Sequence, residues 1–88
     1  MAATYPLVIV TPNETVFGDN VESIVAPGSE GYLGILAHHA PLLTALTEGK
    51  LKICQANGET FFFNVHGGIL EVCEGGGTTI LADGIEKE

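Results

Sequence analysis

Residues 27–46 read PGSEGYLGILAHHAPLLTAL. Gly28, Gly31 and Gly34 recur at every third position, so the backbone there must turn or approach something closely. Ser29 and Glu30 lie between the first two glycines, at the tip of an exposed turn. The apolar pair Ile35 and Leu36 follows, then Ala37, His38, His39, Ala40 and Pro41. A second apolar run, residues 42–46, is interrupted only by Thr44. The stretch is too polar for one buried strand and too rich in glycine for a helix. It reads as a loop, a short strand, a corner and another strand, with a single helical turn after Pro41 as the alternative to that last strand.

Working outward, no helical periodicity of useful length appears. Short apolar or alternating runs are separated by turn residues about every 8 to 12 positions, which is the all-β pattern. Residues 5–10 form the first predicted strand, with Leu7, Val8, Ile9 and Val10 apolar, and Pro12 follows its end because proline cannot donate to a ladder. Residues 14–17 form a short second strand, and Gly18, Asp19 and Asn20 turn the chain. Residues 21–26 alternate, with Val21, Ser23 and Val25 on one side and Glu22, Ile24 and Ala26 on the other. Residues 27–31 make a hairpin loop, and residues 32–36 return.

Residues 47–49 are expected to turn after the 42–46 strand. Residues 50–55 alternate, with Leu51 and Ile53 inward and Lys50 and Lys52 outward. Asn57-Gly58 predicts a type I′ hairpin turn. In residues 60–65, Phe61, Phe63 and Val65 share the core face. Phe62 lies opposite, either covered by the rest of the fold or exposed for a partner. Gly67-Gly68 permits a bulge or bend before a strand at 69–73, where Leu70 and Val72 share a side. Gly75, Gly76 and Gly77 make a loose turn, residues 78–82 form the last strand, and the tail is expected to fray. The predicted fold class is all-β: a two-sheet antiparallel β-sandwich or flattened barrel of about nine to ten short strands. One domain spans residues 1–84, with a polar tail at 85–88.

Eighty-eight residues suffice for one domain with a modest core, and 45% are apolar. No run is long and apolar enough to span a membrane as a helix. The N-terminus lacks a basic region and a cleavage site, so no signal peptide is expected. Eleven acids face three basic residues, Lys50, Lys52 and Lys87, for a net charge of −8. That balance argues against a nucleic-acid partner and suits a basic protein partner or simple solubility. Cys54 and Cys73 lack metal-site spacing and are expected as free, buried thiols on strands.

The search for chemistry is mostly negative. His38 and His39 are adjacent, so on an extended chain they point to opposite faces, which does not suit a metal centre. His66 is remote from both. The triplet-spaced glycines lack the spacing and the following helix of a phosphate-binding loop. Ser29 sits in GSEG, not in a nucleophile elbow. Glu22 and Glu30 have no feature that raises a carboxyl pKa. The Asn13-Glu14-Thr15 sequon carries no role in an intracellular protein. No acid, base and nucleophile set emerges, so no catalysis, metal or cofactor is expected.

The segments PG-SEG-x-x-GIL and HAPLLTAL resemble the signature of the epsilon subunit of the rotary F-type ATP synthase. TYPLVIVTP at the start, VESIVAPGSEG, HGGILEV and the closing TTILAD fall in that family's order. The resemblance covers roughly residues 4–84. It implies a β-sandwich and a non-catalytic central-stalk subunit that links the gamma shaft to the c-ring and couples proton flow to ATP synthesis. It further implies a peripheral membrane protein at the cytoplasmic face of the bacterial inner membrane. Carried over by position, Thr11, His39 and Thr44 would face gamma. Ser29, Glu30, Gly31 and Tyr32 would reach the c-ring. The family's two C-terminal helices have no counterpart before Glu88, so neither inhibition of ATP hydrolysis nor ATP binding is expected. The alternative is a free-standing β-sandwich that binds a small ligand or a peptide along a sheet edge.

Overall fold

A computed structural model describes residues 3–88, so Met1 and Ala2, which open the expected domain, lie outside the described residues. Eight strands follow in order: β1 Tyr5–Val10, β2 Thr15–Val21, β3 Ser23–Gly28, β4 Gly31–Leu36, β5 Leu42–Cys54, β6 Thr60–Val72, β7 Thr78–Ala82 and β8 Ile85–Lys87. They form one hydrogen-bonded sheet in the order β2-β1-β7-β6-β5-β3-β4, with β8 added on β6. Neighbours are antiparallel except β1 and β7, which run parallel from Leu7↔Thr78 to Val10↔Leu81.

The strand count is close to the expectation, and is lower because the predicted turn at 47–49 and the predicted bulge or bend at Gly67-Gly68 both lie within longer strands. Residues 42–46 and 50–55 belong to one strand, β5, and 60–65 and 69–73 belong to one strand, β6. The two pair from Leu42↔Val72 to Cys54↔Thr60, stepping over Thr47 and Gly67. β6 bends at Gly67 and Gly68, with φ of 99° and 146°. At Gly68 a Cβ would lie 2.1 Å from the Leu81 carbonyl oxygen and 2.9 Å from the Ala82 Cα. Only glycine fits that approach. Gly49 likewise serves contact and not a turn: a Cβ there would meet Pro27 Cβ at 2.7 Å and Tyr32 Oη at 2.9 Å.

The shared bend divides the sheet into two layers, as strands do when they cross from one face of a sandwich to the other. Layer one holds β2, β1, β7, residues 68–72 of β6 and residues 42–46 of β5. Layer two holds β8, residues 60–66 of β6, residues 48–54 of β5, β3 and β4. Leu7, Ile9, Leu70, Val72 and Ile80 from layer one pack with Ile24, Ile35, Leu51, Ile53 and Val65 from layer two in a single core. The buried Tyr5 hydroxyl donates to the Ile35 carbonyl across the layers at 2.7 Å. Burial pushes that phenol well above its ordinary pKa. Phe17 of β2 meets Phe61 and Phe63 edge to face at 6.3 and 6.5 Å, which closes the open side.

Several local expectations are corrected. β2 runs through Gly18, Asp19 and Asn20, because the β1 ladder holds it from Ile9↔Phe17 to Tyr5↔Val21. Val21 therefore ends β2 fully buried, while Val25 is exposed on β3. The 55–59 hairpin has positive φ at Gly58 and not at Asn57, and the Gly58 amide donates to Gln55 O. That is a three-residue loop with a bulge glycine, in place of the type I′ turn. Cys54 is half-buried, but Cys73 is exposed just beyond β6, whose inward positions are Leu70 and Val72. The tail does not fray: Ile85↔Val65, Glu86↔Asn64 and Lys87↔Phe63 pair β8 onto β6.

Candidate functional site

The outer face of layer one is apolar. The ladder aligns Val10, Leu81, Ile69 and Ala45 in one row across β1, β7, β6 and β5, and Val8, Thr79, Glu71 and Leu43 in the next. Leu43 is 69% exposed, Leu81 51% and Ile69 45%. These side chains point out because their neighbours Leu7, Ile9, Leu70 and Ile80 fill the core. The runs LVIV at 7–10 and GGIL at 67–70 held the signal: a strand apolar at successive positions offers apolar side chains to both faces.

The turn tip adjoins this face. Gly28 pairs with Gly31, which leaves Ser29 and Glu30 as an exposed two-residue loop. The Ser29 amide donates to the Ala45 carbonyl at 3.0 Å, so the tip is pinned beside the end of the apolar row. Tyr32 is 63% exposed yet turned back along the sheet. Its Oη accepts from the Lys50 amide at 3.2 Å and lies over Gly49. Ser29, Glu30 and Gly31 thus sit together at the tip, and Tyr32 stands apart from them on β4.

Thr11, His39 and Thr44 are not gathered at one point. Thr11 follows Val10 at one end of layer one, where its Oγ1 accepts from the Asn13 and Glu14 amides, both at 3.3 Å. His39 lies beyond the other end, in the corner ahead of β5, with Nδ1 2.7 Å from the Ala40 carbonyl. Thr44 is opposite the buried Leu70, so its side chain turns to the inner side of β5, away from Leu43 and Ala45.

The outer face of layer two differs. Val25, Lys52 and Phe62 form one row, and the Lys50 ammonium stands 5.8 Å from the Phe62 ring centroid. Phe62 is 37% exposed, between the two alternatives left open for it. Among the described residues, no group of three or more His, Cys, Asp or Glu is placed to hold a metal ion. His38, with φ of 67°, is exposed in the corner beside His39, while His66 lies in layer two between Glu48 and Glu86. Among the described residues, no helix is long and apolar enough to cross a membrane.

The chain is thus an open sandwich whose two long strands serve both layers and whose first layer has an apolar outer face. The family model described as ATP synthase, Delta/Epsilon chain, beta-sandwich domain matches residues 4–88, and the chain belongs to that family. It is 46% identical over 87 residues to an ATP synthase epsilon chain of Desulforamulus reducens, covering 99% of this chain and 64% of that protein. It thus spans a little under two-thirds of that relative's length. Its fold is similar to a chain in the Euglena gracilis mitochondrial ATP synthase OSCP/F1/c-ring structure, with a TM-score of 0.91, 23% identity, and coverage of 99% of this chain and 55% of that one. A chain in the Tetrahymena thermophila mitochondrial ATP synthase central stalk/c-ring structure is similar at a TM-score of 0.80 and 22% identity, covering 97% and 67%.

Proposed function

We propose that this domain is a non-catalytic rotor part of the central stalk of an F-type ATP synthase. It links the gamma shaft to the c-ring and so helps couple proton flow to ATP synthesis. The carrying observation is the exposed apolar pair of rows on layer one, contiguous with the polar Ser29-Glu30 tip. Rows of this kind on a sheet already packed on its inner side fit a protein partner. In this reading gamma covers Val8, Leu43, Ile69 and Leu81, with Thr11 and His39 at the two ends of the contact and Thr44 at its edge.

The tip rests on the c-ring loops. Glu30 supplies a charge for a basic group there, an exposed contact worth about 0 to 1 kcal/mol, which orients more than it binds. Ser29 adds a hydroxyl, Gly31 lets the turn close, and Tyr32 flanks the contact from β4. The net charge of −8 favours encounter with basic partner surfaces. The protein sits at the cytoplasmic face of the bacterial inner membrane only through the complex.

Single cysteines test the arrangement in the reconstituted complex. Replacements at Leu81, Thr11 and His39 are expected to cross-link to gamma, and one at Glu30 to the c subunit. A replacement at Val25, on the other layer, should give neither product. Cross-linking from Val25 in place of Leu81, in a folded protein, would reverse the docking face. No product from any site would leave the domain outside the stalk.

A further inference from the structure

His66 lies on β6 next to the bend, and both of its ring nitrogens face carboxylates. Nδ1 is 3.1 Å from Glu48 Oε2 on β5. Nε2 is 2.8 Å from Glu86 Oε1 and 2.9 Å from Glu86 Oε2 on β8. The backbone is engaged as well, since the His66 amide donates to the Gly84 carbonyl at 2.9 Å. A neutral imidazole carries one N–H and one lone pair. It can donate to one of these carboxylates but must turn a lone pair on the other. Only the cation donates to both, so the geometry selects the protonated ring.

Glu86 belongs to the shortest strand, held to β6 by three residue pairs. Its neighbours Ile85 and Lys87 line an apolar groove of about 340 Å³ with Val16, Phe17, Phe61 and Phe63. Lys87 stands 4.7 Å from the Phe61 ring centroid. β8 is therefore a cover over the aromatic end of the core, and His66 links it to β5 through Glu86 and Glu48.

We propose that His66 is a proton-operated clasp that holds β8 over the aromatic groove while protonated and loosens it on losing the proton. The other charged or titratable groups that face it are Glu48 on β5 and Glu86 on β8, with Lys50 across the depression. Tyr32 lines the same depression. Asp83 approaches Gly67. The Lys50–Glu88 pair at 3.2 Å and the Glu88 amide bond to Phe62 O at 2.8 Å continue the same edge beyond β8.

Hydrogen bonds donated by the ring to Glu86 and then to Glu48 hold the His66 pKa above its ordinary 6.5, with the nearby negative charges acting in the same direction. A raised folded-state value means that the clasp is fully closed below pH 6.5 and is lost as pH rises through the raised value. Its loss frees β8 without unfolding the core.

The test is nuclear magnetic resonance on the intact 88-residue chain from pH 5.5 to 9. The His66 ring is expected to titrate above 6.5. Amide protection factors at Glu86 and Glu88 should fall about five- to tenfold through the same midpoint, while those at Leu51 and Ile80 stay constant. In His66→Gln the two tail amides should show the low value at every pH. Protection that stays flat while His66 titrates would overturn the clasp, as would a ring midpoint at or below 6.5. A His66→Gln tail as protected as wild type at pH 5.5 would do the same.

Discussion

On the outer face of layer one, Leu43, Ile69, Leu81 and Val8 stand in two rows with Glu71 as the charged neighbour. On the outer face of layer two, Val25 and Phe62 share a row with Lys52, and Lys50 reaches over the Phe62 ring. All three lysines belong to layer two, because Lys87 sits on β8. The two layers are alike inside, since both contribute fully buried side chains to one core. Their difference lies outside. Lysine stems shield apolar surface while the ammonium stays in water, so layer two is finished as a solvent-facing sheet. Layer one is left bare, and under the proposed function this is the surface that gamma covers.

The largest effect should come from removing the bend that creates the two faces. Gly68→Ala puts a methyl group against the Leu81 carbonyl in a left-handed backbone region. A loss of about 3 to 5 kcal/mol is expected from overpacking and strain together. A denaturant melt would read it directly, and a midpoint near wild type would show that β6 can cross layers some other way. Next comes a matched pair of charges. Leu81→Lys should weaken gamma binding about 100-fold by burying an unpaired cation, whereas Phe62→Lys should change it less than threefold. Equal losses in a titration of both variants would erase the distinction between the faces. Smallest is Tyr5→Phe, which strands the Ile35 carbonyl and alters neither outer surface. It should cost about 1 to 2 kcal/mol, or about 5 to 15 °C in Tm, with gamma affinity unchanged.

What the chain order revealed was local. β1 and β7 match residues 5–10 and 78–82, because apolar β-branched runs bounded by Pro12 and by the Gly75-Gly76-Gly77 turn depend on nothing distant. The Ser29-Glu30 tip was legible for the same reason. β5 and β6 were not legible as single strands: Gly49 reads as part of a turn, and the bend at Gly67-Gly68, legible in itself, does not reveal that one strand continues through it. That continuity is set by the partner strand alongside and, at Gly49, by the β3–β4 hairpin pressing on it. Thr44 pointed inward through its pairing with Leu70, a register that a separation of 26 positions conceals. Tyr32 was read with its hairpin tip, but its hydroxyl engages Lys50, 18 residues along the chain. His66 was passed over because Glu48 and Glu86 are distant in sequence and converge only through β5, β6 and β8. The clean apolar runs at 7–10 and 69–70 already held the outer face, since strict alternation would have left one side polar.

The two thirteen-residue strands have a mechanical meaning. In a sandwich made of separate sheets, a push on one layer reaches the other only by sliding side chains across the core, where each dispersion contact is weak. Here β5 and β6 belong to both layers, so the push travels along two continuous backbones braced by their mutual ladder. Shear between the layers must flex covalent chain at Thr47–Gly49 and Gly67–Gly68, so the domain behaves as a stiff link whose compliance is concentrated at one corner. Stiffness would rise or fall with the residues at that corner, while the core composition stayed the same.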